Sequence, residues 1–150
     1  WFILSVLTVI FIMDARWYVI LDKISIPACV VVLLINIYRG ESWQELLISA
    51  TIGTGFFLAQ YLISRGRWIG GGDIRLGLFL GLALGWPGIL AAIFLGYAIG
   101  AIAGVILLAM GKKKMGSMVP LGTFLSLAGA ITLLYGEKIV SWYLAFIKLQ

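Results

Sequence analysis

The chain is a succession of apolar runs separated only by short polar or glycine- and proline-bearing gaps. The runs fall at about 1–20, 24–38, 43–64, 74–86, 88–110, 118–135 and 138–149. A helix needs about 20 residues to cross a hydrocarbon core of about 30 Å. Runs 43–64 and 88–110 meet that length, whereas 74–86 and 138–149 are short and are expected to tilt, re-enter or continue their neighbours. The expected fold is all-α, a polytopic membrane bundle of six or seven helices forming one domain over 1–150. Composition agrees. Hydrophobic residues make up 63% and charged residues 11%, against about 45–50% and about 25% in a soluble domain. A chain this apolar cannot clothe itself in polar surface, so its outer face must meet lipid. It starts at Trp1 without a methionine, as a fragment or a processed product would. Residues 1–13 carry no basic residues ahead of them, so they read as part of a mature helix rather than a secretory signal.

The reactive side chains are few. With no histidine, His-based general bases, Ser-His and Cys-His pairs and His-ligated metals are excluded. The single cysteine, Cys29, can form neither an internal disulfide nor a thiolate zinc cage, and it reads as a small buried or lipid-facing residue. The acids are Asp14, Asp22, Glu41, Glu45, Asp73 and Glu137. No metal or other cofactor is expected. The net charge of +5 reads as membrane topology rather than nucleic-acid binding, because the basic residues are unevenly placed. Arg16, Lys23, Arg65, Arg67, Arg75 and Lys112–Lys114 lie around the first, third and fifth connections, against Arg39 and Lys138 on the alternate ones. That bias puts the odd connections in the cytoplasm. Asp14 and Asp73, 59 residues apart, then fall at the cytoplasmic ends of helices.

A carboxylate near hydrocarbon is costly to ionise, and such groups usually face a bundle interior or a water-filled cavity. Residues 1–13 rise only about 20 Å as a helix, which keeps Asp14 close to low dielectric. The plainer reading of Asp14 is an interfacial acid paired with Arg16 or a lysine. Asp73 closes the run Gly70-Gly71-Gly72-Asp73. Its plainer reading is a glycine turn followed by an Asp cap on the next helix. Irregular glycine backbone at membrane depth is tolerated only where protein or water covers it, which favours a cavity beside this loop. Two carboxyls facing one cavity cannot both ionise freely and share a proton. One can then take a proton from water while the other donates to a peptide carbonyl.

Three stretches bear a family resemblance. DARWYVILDKIS at 14–25, GGGDIRLGLFLGLALGW at 70–86 and MVPLGTFLSLAG at 118–129 resemble, in order, the signature elements of the type IV prepilin peptidases, aspartyl proteases of the GxGD kind. The resemblance implies that Asp14 and Asp73 are the catalytic pair and that Gly70, Gly71 and Gly72 form the active-site loop. Asp22 matches a second, non-catalytic acid and is the candidate contact for a substrate's leader. Leu21 and Thr123 stand where the family usually has proline; both are expected to affect how helices enter the membrane, and neither to touch a catalytic group. The cytoplasmic region with paired cysteines that many bacterial members link to N-methylation has no counterpart in these residues, so peptidase activity alone is expected from this chain. The implied substrates are prepilins or pseudopilins with a short basic leader, a Gly before the cut and an apolar helix after it. The expected place is the inner membrane, with the aspartates toward the cytoplasm.

Two other classes are compatible with the residues. A small proton-coupled transporter also uses intramembrane carboxylates and broken helices, but no internal repeat is visible and the two Asp contexts differ. A silent scaffold would tolerate loss of either Asp. Gly77, Gly81 and Gly85, and Gly96, Gly100 and Gly104, recur at four-residue spacing, which suits close helix packing within the chain rather than dimerisation. The sequence leaves the oligomeric state open. Lys112–Lys114 reads as a topology anchor, Arg75 as a partner for an acid or a lipid phosphate, and Trp43, Trp86 and Trp142 as interfacial aromatics.

Overall fold

In an apolar surrounding the main chain must satisfy its own hydrogen bonds, and the helix does so within one segment. The computed structural model follows that rule. It describes residues 1–112 and 119–148, apart from the side chains of 137, 140 and 142–148. Lys113 and Lys114, and the side chains of Trp142 and Lys148, therefore lie outside the described residues. Five helical elements follow one another: α1 (Phe2–Trp17), α2 (Asp22–Tyr38), α3 (Trp43–Ser64), α4 (Gly71–Ala109) and α5 (Leu121–Lys148). No strand occurs among the described residues. Within them, α3 and α4 are long and apolar enough to cross a membrane, and α5 carries a shorter apolar stretch, Leu121–Gly136.

The seven apolar runs thus become five elements, for two physical reasons. Runs 118–135 and 138–149 merge into α5, because Gly136 alone, with no proline nearby, does not break a helix. Runs 74–86 and 88–110 join in α4, but with a break at Gly85 (φ 62°, ψ −170°) and Trp86 (φ −90°, ψ 137°) just before Pro87. This break reverses the chain. Asp73 and Tyr97 line one cavity, yet 24 residues of straight helix would hold them about 36 Å apart. Residues 71–84 and 88–109 are accordingly two antiparallel arms. Asn36 Nδ2 donates to the Leu82 carbonyl at 2.6 Å, in the last turn of the first arm, where carbonyls lack helical partners.

The first arm runs through the centre. Leu76, Phe79 and Leu80 are wholly inaccessible, as are Phe57 on α3, Ile89 on the second arm and Leu125 on α5. Backbone meets backbone there. A Cβ on Gly77 would strike the carbonyl of Gly53, and one on Gly81 would come within 2.8 Å of Ala50 Cα. Gly96 and Gly100 face Leu125 and Phe124 of α5, whereas Gly85 and Gly104 have nothing nearby. The repeated glycines therefore serve packing within the chain at four positions, while Gly85 supplies the positive φ of the reversal. Leu7 of α1 and Leu80 pack over Gly129 of α5. Cys29 is buried, with Sγ 4.0 Å from the Arg75 carbonyl. Outward-facing residues are large and apolar; Ile63 and Phe94 are each 73% exposed. Such a continuous apolar exterior suits lipid rather than water.

Gly77→Ala should lower stability by about 1–3 kcal/mol, the usual cost of overpacking. Gly104→Ala, facing open space, should leave stability unchanged or slightly raised. Thermal unfolding of both variants in the same detergent checks the contrast.

Candidate active site

Residues just after α1, between α3 and α4, and just before α5 converge on a cavity of about 570 Å³. Asp14 arrives in the last turn of α1 and Asp73 in the first turn of α4. Both are buried, at 6% and 7% exposure, and both line the cavity, with Gln60, Tyr97 and Arg67 around them.

Each carboxylate is held by main-chain N–H groups at a helix start, where four such donors have no helical partner. Asp73 Oδ2 accepts from the N–H of Gly70 at 2.9 Å, while the Asp73 N–H donates to the Gly70 carbonyl at 3.2 Å. Asp73 is thus the third residue of the helix reaching back over its start, as in a capping box, rather than the capping residue itself. Asp14 instead serves a helix 109 residues away. Its Oδ2 accepts from the N–H of Thr123 at 2.6 Å and from Thr123 Oγ1 at 3.0 Å. The expectation that Thr123 stands clear of the aspartates is therefore overturned: the packing of α1 against α5 puts it in direct contact.

The glycine run also differs from the expected loop. Only Gly70 precedes the helix; Gly71 and Gly72 form its first turn. The glycines have separate surroundings. A Cβ on Gly72 would come within 2.8 Å of Ile20 Cβ, whereas one on Gly71 meets nothing within 4 Å. Gly70 and Gly72 line the cavity along with Ile20. The preceding turn is tight. Arg65 closes α3 in the left-handed conformation (φ 53°), Gly66 follows at φ 72°, and Ser64 Oγ accepts from the Trp68 N–H at 3.3 Å.

Asp22 is not among the residues lining the cavity. It forms an ion pair with Arg75, the acid partner expected of that arginine. The pair ties the start of α2 to the first turns of α4 and stays partly exposed. Sequence reading also missed Gln60 and Tyr97, whose hydroxyl donates to Gln60 Oε1 at 2.8 Å. A polar residue inside the apolar run 43–64 was the available signal for Gln60. Nothing in the sequence marks Tyr97, which reaches the cavity only because α4 reverses.

A family model described as the type IV leader peptidase family matches residues 1–105. The chain belongs to that family. It is 31% identical over 133 residues to a prepilin leader peptidase/N-methyltransferase of Stutzerimonas stutzeri, covering 85% of this chain and 46% of the relative. Similar proteins of the same name occur in Aeromonas hydrophila, at 29% identity over 96% of this chain and 53% of the relative, and in Pseudomonas aeruginosa, at 31% over 90% and 48%. The chain thus spans about half the length of these curated relatives. No solved structure matches it.

The glycine positions predict unequal sensitivity. Gly72→Ala should lower stability by about 1–3 kcal/mol and disturb the cavity, whereas Gly71→Ala should be close to neutral. Thermal unfolding in detergent, with cavity integrity followed by Trp68 fluorescence in variants lacking other tryptophans, distinguishes them.

Proposed function

We propose that this chain is an aspartyl endopeptidase that removes the short basic leader from type IV prepilin-like substrates, using Asp14 and Asp73. The observation that carries the reading is the pair of buried carboxylates, delivered by separate helices to one cavity, in a chain of the leader peptidase family. Carboxyls that interact across a cavity hold one proton between them most easily. The ionised member takes a proton from water, and the resulting hydroxide adds to the scissile carbonyl carbon. The protonated member donates to the carbonyl oxygen. Collapse of the tetrahedral intermediate breaks the C–N bond, and the leaving amine takes a proton from the dyad.

The substrate and its direction of approach follow from the same reading. A substrate's apolar helix would enter the bilayer beside the cavity with its leader toward the basic end of the bundle. That end carries Arg16, Lys23, Arg65, Arg67 and Arg75, which by the positive-inside rule faces the cytoplasm of an inner-membrane protein. Asp22 would meet a basic leader residue only by sharing its carboxylate with Arg75. Prepilin or pseudopilin substrates and the lipid bilayer are the proposed partners. The proposal for these residues is limited to the peptidase.

Purified Asp14→Asn and Asp73→Asn should each fold normally and lose cleavage of a prepilin-like peptide by about 10²–10⁴-fold, the usual contribution of a positioned acid or base. Full activity of either variant would sink the dyad. Asp22→Asn should raise KM for a lysine-rich leader a few-fold and leave kcat unchanged; an unaltered KM would remove Asp22 from leader binding.

A further inference from the structure

Thr123 bonds to the Asp14 side chain twice, through different groups. Both donors converge on the same oxygen, Oδ2. The contact is buried: Thr123 is 7% exposed and Asp14 6%. It is also tight. A Cβ on the preceding Gly122 would lie 3.0 Å from Asp14 Cγ and from Oδ2 and 2.9 Å from Ile20 Cδ1, so a side chain there would press on both residues. A proline at 123, usual in the family this chain resembles, has neither an N–H nor a hydroxyl. It could make neither bond.

We propose that Thr123 is a positioning residue that selects the working oxygen of Asp14. This rests on the peptidase reading of the dyad. A proton on Oδ2 would have to displace the hydroxyl's donation and crowd the Thr123 N–H, so the bare oxygen is the better-bonded form. Proton exchange between Asp14 and water then runs through Oδ1. The backbone N–H fixes the carboxylate to the start of α5, and the hydroxyl fixes its rotation. Together they hold Oδ1 toward the cavity that Asp14 shares with Asp73.

The hydroxyl can be removed without altering shape, and shape can be altered without removing the hydroxyl. Thr123→Val keeps the branched side chain and the N–H but loses the Oγ1 bond. Thr123→Ser keeps both donors and loses only the methyl. Cleavage of a prepilin-like peptide by the purified full chain should fall about tenfold in Thr123→Val, the size of one hydrogen bond to a charged group. Its pH–rate profile should be displaced along the pH axis. Thr123→Ser should match the wild type in both. Equal activity of the Val variant, or equal impairment of Ser and Val, overturns the proposal. A readout independent of cleavage separates this failure from failure of the dyad. The carboxyl infrared band of Asp14, assigned by difference from Asp14→Asn, should shift in Thr123→Val and not in Thr123→Ser. An unshifted band in the Val variant overturns the positioning role whatever the peptidase assay shows. Activity retained in Asp14→Asn overturns the dyad reading itself. Should Thr123→Val fail to fold, as judged by thermal unfolding, Thr123→Ala carries the same comparison against Ser.

Discussion

Residues 71–84 run through the middle of the bundle with backbone against backbone. Gly77 meets Gly53, and Gly81 meets Ser49 and Ala50, at separations that no side chain could occupy. Between apolar helices in lipid there is no hydrophobic gain from association, so stability comes from close packing and from the few polar contacts available. The glycine crossing supplies the packing. The reversal at Gly85–Trp86 then returns the second arm along α3, where Tyr97 reaches Gln60 and the aromatic rings of Phe56 and Phe57. The cavity forms at the end where these elements meet. Opening the crossing would move Asp73, the wall bearing Gln60 and the arm bearing Tyr97 together.

The polar chemistry is built from unpartnered helix starts. A buried carboxylate in a poorly solvated place needs donors, and a buried helix start needs acceptors. Asp73 resolves both within α4, over three residues. Asp14 resolves both between α1 and α5. The same bonds that quiet the two helix starts therefore locate the two carboxylates, and structural and chemical roles coincide at these residues. The arrangement also anchors the two acids differently. Asp73 is anchored to its own helix, whereas the setting of Asp14 depends on how α5 is seated, through Gly122 and Thr123.

Much of this was legible in the residues. The apolar runs with few polar interruptions require helices, the interruption at Pro87 was visible between runs 74–86 and 88–110, and the rarity of acids singled out Asp14 and Asp73. Less legible were contacts made over long sequence distances. Thr123 looked like an inert departure from a family pattern because its partner lies 109 residues away. The available signal was physical: a helix start at 121–123 with free N–H groups must find an acceptor when buried. The glycine run was read as a loop because three glycines permit irregular backbone; once Asp73 reaches back to the Gly70 N–H, helix is the better-bonded state.

By itself the sequence determined that the chain is helical, that its exterior is apolar and which two acids stand out, because hydrophobicity and the need of the backbone for internal bonds are local properties. Only the tertiary structure decided that Asp14 and Asp73 share a cavity, that Tyr97 and Gln60 line it, that Asp22 is occupied by Arg75 and that Thr123 holds Asp14. Those outcomes depend on which helix packs against which and at what depth. Close contacts between small residues set that, and their partners are chosen by shape in three dimensions.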